Sequence, residues 1–329
     1  MNITFFGTKS YDRIWFSDPE EQSGFSIRFL EVNLSKETVA LAEGAEAVCV
    51  FVNDTVDAVV MERLAKLGVK AILLRCAGYN QVDLTAAKKH GIRVFHVPGY
   101  SPEAVAEFAM GLLLSVNRQI PRAYMRTRFF NMDITGLMGR DLHGMTAGVV
   151  GTGKIGQAMI RILKGFGMRI LAYDIYPSEI SDVTYVSLEE LFRQSDVITM
   201  HCPLTRENYH MINRDSLTLM KEGVFLMNTS RGALIDARDL VDALLISGKI
   251  GGVGLDVYEE EGDIFYEDRS NDIIKDDVLA RLMTFPNVII TSHQGYFTRE
   301  ALQAIAETTM ENAMAAASGD PSPNEIALG

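Results

Sequence analysis

The 329-residue sequence is poor in cysteine, tryptophan and positive charge. It has three cysteines and one tryptophan, and 31 Lys and Arg stand against 43 Asp and Glu, a formal net charge of −12. Cys49, Cys76 and Cys202 form neither an even disulfide set nor a metal-ligand spacing. This argues against a disulfide-stapled secreted domain or a zinc module and fits a reducing cytoplasm. The acidic balance argues against nucleic acid or an anionic membrane as partner, since either calls for a basic face. No stretch approaches the roughly 18 uninterrupted apolar residues of a membrane span. The opening MNITFFGTKSYDRIWF has no basic n-region and no long apolar h-region, so it is not expected to be a signal peptide. What is present is 47% hydrophobic residues, enough over this length for two cores.

Strand-length apolar runs alternate with helical periodicity. ITFFG, AVCVFV, KAILLR and RVFHV read as strands, and DAVVMERLAKLG and DLTAAKKHG as helices closed by glycine. This alternation predicts parallel strands with crossover helices, an α/β fold. A helix is expected after Ser101, with that serine as N-cap, Pro102 in its first turn and Glu103 complementing the helix dipole. Its apolar content predicts burial between two domains. A second βα series starts near Met145, with strands near 146–151, 168–173, 196–200, 223–228, 251–255 and 287–291. A last helix over 299–317 could return to the first domain. The acidic stretch 258–277 reads as a solvated surface loop.

Within the second series, Gly151, Gly153 and Gly156 have GxGxxG spacing. The motif alone is weak, but here a buried strand precedes it, a helix follows it, and the next strand ends in Asp174. Gly151 permits a tight turn, Gly153 lets backbone approach a pyrophosphate, and Gly156 lets helix and strand pack closely. The helix start offers N–H donors and positive dipole to the anion. Asp174 would accept from the adenosine ribose hydroxyls and repel a 2′-phosphate, so NAD is expected rather than NADP. A turn without ligand is the competing reading.

Ligands in open α/β sheets bind at the carboxyl ends of strands, and three chemically useful side chains follow such ends: Arg231, Glu261 and His293. Each has an ordinary alternative. Arg231 could cap a carbonyl or pair with Asp236. Glu261 could belong to a solvated run in which Glu259 and Glu260 compete with it, and His293 could be a plain loop residue. Together they match the reduction of a 2-keto acid. An arginine fork holds the carboxylate, a histidine gives the carbonyl oxygen its proton, and a glutamate orients that ring. Among the remaining histidines, His201 and His210 flank a strand end and could line the cofactor site.

These motifs, VVGTGKIG, MHCPLTRENYHMIN, NTSRGALID, LDVYEEE and SHQGYFTREA, with RCAGYNQVDL and VPGYSPEAVAEFAMGLLL, resemble the D-isomer-specific 2-hydroxyacid dehydrogenases over most of the chain. FFGTKSYDR and DIFYEDRSNDIIKDDV are most similar to the fermentative D-lactate branch. The resemblance implies two Rossmann-like domains. A doubly wound, parallel-sheet NAD domain (101–297) would be inserted into a flavodoxin-like catalytic domain built from 1–100 and 298–329. It implies Arg231, Glu261 and His293 as catalytic residues. It implies Lys154, Ile155, Asp174, Cys202, Pro203, Asn208, Thr229, Ser230 and Asp256 around NAD with the glycines, Asp256 close to the carboxamide. It further implies that the N–H groups of Ala77 and Gly78 help hold the substrate carboxylate, and that Tyr100 and Tyr296 border its side chain. Many relatives are apolar at the position of Tyr296, so a larger 2-keto acid competes with pyruvate as substrate. An NAD-sensing corepressor is a third reading, disfavoured by the complete Arg/Glu/His set. No metal is expected, and a homodimer or homotetramer is.

Overall fold

A computed structural model of the chain describes residues 1–246 and 248–328, with side chains for all of these except 18–23 and 263. By contacts the chain divides into two compact units, Met1–Ser101 with Phe297–Gly329, and Pro102–Tyr296.

The first unit runs β1 (Asn2–Phe5), α1 (Ser10–Ser23), β2 (Ser26–Phe29), β3 (Ala47–Val50), α2 (Ala58–Lys66), β4 (Ala71–Leu74), α3 (Leu84–His90) and β5 (Arg93–Phe95). Its five strands are all parallel, in the order β2-β1-β3-β4-β5, the flavodoxin-like winding. AVCV and AILL are buried along their whole length, as parallel strands covered on both faces must be. Helix starts are fixed by aspartates: Asp57 accepts from the Val60 N–H and Asp83 from the Ala86 N–H. Each such cap is worth about 1 kcal/mol. Helix α1 and strand β2 are absent from the sequence reading. The helix is preceded by Lys9 rather than a capping residue, and the strand is four residues of mixed burial.

The second unit runs α4 (Pro102–Asn117), α5 (Ile120–Arg128), β6 (Thr146–Val150), α6 (Lys154–Gly165), β7 (Arg169–Tyr173), β8 (Thr184–Tyr185), α7 (Leu188–Gln194), β9 (Val197–Met200), α8 (Arg214–Leu219), β10 (Val224–Asn228), α9 (Ala237–Leu244), β11 (Ile250–Leu255), α10 (Asp277–Leu282) and β12 (Val288–Ile290). The seven strands are parallel, in the order β12-β11-β10-β9-β6-β7-β8. Counted from β6 this is the doubly wound Rossmann order with one further strand, and it reverses direction between β6 and β9. Helix α4 packs on α6, β10 and β11 of its own unit. The last helix, α11 (Arg299–Ser318), returns the chain to the first unit, where it packs on α1 and β4.

Strand register sets up the chemistry. Tyr173 pairs with Val150, Val150 with Met200, Met200 with Asn228, Asn228 with Leu255, and Leu255 with Ile290. One straight row of partners therefore crosses six strands. Everything just beyond it, from Asp174 to His293, emerges at one edge of the sheet.

Candidate active site

The first feature along that edge is the turn after β6. Gly151 has φ +92°, and a Cβ there would meet the His201 carbonyl oxygen at 2.6 Å. A Cβ on Gly156 would meet the Gly151 carbonyl at 2.0 Å, whereas one on Gly153 would meet nothing within 4 Å. Two glycines thus serve internal contact, and the middle one faces open space. Gly153 is the N-cap of α6 and supplies no side-chain cap, so the N–H groups of the first turn, including Lys154 and Ile155, lack one. That is the geometry of an anion cradle.

Asp174 ends the next strand. Its Oδ2 accepts from the Thr152 N–H at 2.6 Å and the Thr152 hydroxyl at 2.9 Å, and Oδ1 accepts from the Tyr176 N–H at 2.8 Å. Burial alone would raise its pKa, but these hydrogen bonds outweigh burial and hold it below the ordinary carboxylate value. The cradle is thereby tied to an ionised carboxylate of fixed orientation. Between Asp174 and the segment after β9 lies a cavity of about 460 Å³, largely apolar, with Gly153, Tyr173, Cys202 and Pro203 on its walls. Asn208 also lines it, but its amide braces the loop, accepting from Thr205 N–H at 2.7 Å and donating to the Pro203 carbonyl at 2.8 Å. Cys202 is a thiol rather than a thiolate, its pKa pushed up to about 11 by burial. His201 lines the same cavity. Burial pushes it down to about 4, so it is neutral at pH 7. Two buried polar atoms near this edge, His201 Nδ1 and Thr229 Oγ1, have no hydrogen-bond partner among the described residues. Open backbone at Gly153, an uncapped helix start, an acid beside the cavity and orphaned polar atoms together fit a dinucleotide.

The other side of the switch point carries the reactive groups. Arg231 lies three residues past Asn228, Asp256 one past Leu255 and His293 three past Ile290, on three adjacent strands. The buried Asn228 shapes the first turn by accepting from the Ser230 N–H at 3.0 Å and donating to the Arg231 carbonyl at 2.9 Å. Ser230 donates to the Met200 carbonyl at 2.8 Å. One Arg231 guanidinium nitrogen donates to the Ser230 carbonyl at 2.6 Å, and among the described residues the rest of the fork makes no hydrogen bond. Asp236 does not pair with it. That carboxylate instead caps α9 through the N–H groups of Arg238 and Asp239.

His293 Nδ1 lies 2.9 Å from Glu261 Oε1. A carboxylate can only accept, so the proton of this bond sits on Nδ1 and Nε2 is left for other work. The second Glu261 oxygen accepts from the Tyr258 N–H at 3.0 Å. Of the three adjacent acids, Glu261 is the one that reaches His293, while Glu259 contacts His210 at 2.6 Å. His293 itself has φ +54°, a left-handed backbone that costs a non-glycine residue energy and is kept only where the surroundings enforce it. Asp256 does much of the enforcing. It accepts from the Thr291 hydroxyl at 2.6 Å, the Gln294 N–H at 2.9 Å and the Gly295 N–H at 2.7 Å. Its backbone carbonyl accepts from the His293 N–H at 2.7 Å. Its carboxylate, expected beside a carboxamide, is committed to the histidine loop. The Tyr266 hydroxyl donates to the His293 carbonyl at 2.9 Å.

The stretch 258–277 is therefore more than a solvated loop. Tyr258 and Phe265 are buried, and Glu261 and Tyr266 hold the histidine. Sequence reasoning missed Asn228 and Tyr266. The asparagine at a strand end was a usable signal; nothing local marks the tyrosine. Ala77, Gly78 and Tyr100 belong to the first unit and Tyr296 to the second. In the first unit His96 Nδ1 donates to the Ala77 carbonyl at 2.8 Å, and the Cys76 thiol donates to the Gly78 carbonyl at 3.2 Å. The backbone around both residues is thus held in place. Among the described residues no cluster of His, Cys, Asp or Glu could hold a metal ion, and no helix is long and apolar enough to cross a membrane.

Comparison with known proteins identifies the family of the fold and of its NAD-binding domain. Residues 110–295 match the family model described as the NAD-binding domain of D-isomer specific 2-hydroxyacid dehydrogenases. An Escherichia coli K12 protein named D-lactate dehydrogenase is 51% identical over 329 residues, 99% of this chain and 100% of that one. The apo structure of the E. coli D-lactate dehydrogenase superposes with a TM-score of 0.90 at 49% identity, covering 99% of this chain and 100% of the other. A Chlamydomonas reinhardtii structure described as its pyruvate reductase gives a TM-score of 0.92 at 43% identity, with 98% of each chain covered.

Proposed function

Because the chain belongs to the D-isomer-specific 2-hydroxyacid dehydrogenases and carries their NAD-binding domain over 110–295, we propose that it is an NAD-dependent D-lactate dehydrogenase. It would reduce pyruvate to D-lactate with Arg231, Glu261 and His293 as its catalytic residues. The observation that carries the chemistry is the 2.9 Å contact between His293 and Glu261, beside the strand end that presents Arg231. The identity of about half the residues to a full-length D-lactate dehydrogenase supports the substrate.

The cofactor's pyrophosphate would rest on the α6 N-terminus over Gly153, its adenosine ribose on Asp174, and the 202–208 loop and Thr229 would border it. When bound, NADH supplies the hydride. Arg231 would grip the keto acid's carboxylate with the part of its fork not tethered to Ser230. The keto oxygen would take a proton from Nε2 of the protonated His293 ring as C2 is reduced, leaving the ring neutral with its proton on Nδ1. Glu261 holds the Nδ1 proton throughout, fixing ring orientation and steadying the cation. Positioned proton transfer of this kind is worth roughly 10²–10⁴-fold in rate. In the oxidative direction the same Nε2 accepts the hydroxyl proton.

A second reading, a D-2-hydroxyacid dehydrogenase for a larger keto acid, is favoured by Tyr296, whose hydroxyl adds polarity near the substrate side chain. A panel of 2-keto acids assayed with NADH and NADPH decides between them. The proposal expects the highest kcat/KM with pyruvate and NADH and a D product, and a far faster branched or hydroxylated keto acid overturns it. Three free cysteines fit a cytoplasmic setting, and reduction of pyruvate to D-lactate would fit a fermentative role. Phe129, Phe130, Met132, Ile134 and Met138, each at least 66% exposed, support a homodimer or homotetramer that covers them.

A further inference from the structure

The cluster around His210 is not used by the chemistry above, yet it ties together the turns that carry it. His210 Nε2–H donates to Glu259 Oε1 at 2.6 Å, and the Tyr209 hydroxyl donates to the same oxygen at 2.9 Å. On the other side His210 Nδ1 faces Asp236 Oδ2 at 3.3 Å. The imidazole stacks on the Tyr209 ring, centroids 3.9 Å apart and planes 21° from parallel. Its backbone is left-handed, φ +52°, and its N–H donates to the Ala233 carbonyl at 2.9 Å. Three segments meet here: the loop after β9, the Arg231 turn after β10 and the Glu261 loop after β11.

The contact between the last two is tight. A Cβ on Gly232, next to Arg231, would fall 2.0 Å from the Tyr258 carbonyl carbon and 2.4 Å from the Glu259 nitrogen. Backbone lies against backbone, and Glu259 ties that contact to His210 and Tyr209. Glu261 then depends on the same short segment, because the Tyr258 N–H holds its second oxygen. A shift of Tyr258–Glu259 carries the acceptor of His293 with it. A misplacement of about 1 Å can cost on the order of 10²-fold in rate.

We propose that His210, through Glu259, is a positioning residue for the Glu261–His293 pair. It locks the 258–261 turn so that one Glu261 oxygen meets Tyr258 N–H while the other meets His293. This rests on the proposed roles of Glu261 and His293 and extends them to a pair of residues outside the cavity beside Asp174. The cavity that would take adenosine has no wall from His210 or Glu259, so cofactor affinity and turnover should separate.

The test is a double-mutant cycle on the full-length protein. His210→Ala and Glu259→Gln should each lower kcat roughly 10- to 100-fold while the NADH dissociation constant, read by fluorescence, stays within about twofold. Glu259→Gln keeps volume and serves if His210→Ala does not fold. In a Glu261→Gln background His210→Ala should change kcat by less than about twofold, because the group it positions is already gone. A full, multiplicative loss in that background overturns the proposal, as does near-normal kcat in both single variants while Glu261→Gln is slow. Glu261→Gln at wild-type turnover would instead overturn the catalytic assignment itself, and this inference with it.

Discussion

The Asp256 carboxylate accepts the Gly295 N–H at 2.7 Å, two residues past His293. Together with the bonds from Thr291 and Gln294 it makes one buried acid the frame of the histidine loop. Asp256→Ala leaves two N–H groups and a hydroxyl without their acceptor and frees a backbone held at positive φ. Turnover should fall roughly 10²-fold or more. A stopped-flow hydride-transfer rate within a few-fold of wild type would show that the loop holds itself.

His293→Gln removes the titrating group and keeps approximate size. NADH binding should be unchanged, since the cradle at Gly151–Gly156 lies on strands farther along the sheet, and kcat should drop by roughly 10²–10⁴-fold. Isothermal titration with NADH alongside steady-state assays checks both halves.

Arg231→Lys preserves charge and loses the planar fork. The Michaelis constant for the keto acid should rise and kcat should fall together, and an inhibitor with a carboxylate should weaken in parallel. A profile identical to wild type would make the arginine structural.

Two glycines of one motif should fail differently. Gly156→Ala puts a Cβ at 2.0 Å from the Gly151 carbonyl, so the strand–helix contact must open, and both melting temperature and NADH binding should fall. Gly153→Ala meets open space at an extended backbone. It should fold with stability within about 1 kcal/mol of wild type, the gain from a stiffer unfolded chain opposed by alanine's poorer N-cap, while losing NADH affinity. Thermal melts with and without NADH distinguish them.

Asp174 links cofactor choice to pH. Its folded-state pKa lies below the ordinary value of 3.8, because hydrogen bonds to Thr152 and Tyr176 outweigh burial. A lowered folded value means that the ionised carboxylate stabilises the fold above the unfolded value. That contribution is lost as pH falls through the folded one. Asp174→Asn should therefore melt below wild type at neutral pH, with the gap closing below about pH 4. Asp174→Ser should weaken NADH by roughly 10-fold or more, as expected for ~1.5–3 kcal/mol of hydrogen bonding to a charged group, and improve NADPH relative to NADH.

Much of this was legible in the chain itself. Apolar strand runs, aspartate caps and the three glycines are local signals, and the parallel, doubly wound architecture follows from their alternation. Helix α1, without a conventional N-cap, and the short strands β2 and β8 carry no comparable signal and were decided by packing. The placement of Arg231, Glu261 and His293 after strands was readable too. Which acid meets which imidazole was not. Glu259, Glu260 and Glu261 are adjacent in an irregular turn where no periodicity assigns directions to side chains. The register of β10, β11 and β12 and the Gly232 contact turn Glu259 toward His210 and Glu261 toward His293. The sequence determined the chemical groups and the strands that deliver them. Only the tertiary structure paired them, because a hydrogen bond between residues 32 apart is set by sheet geometry that local propensity does not encode.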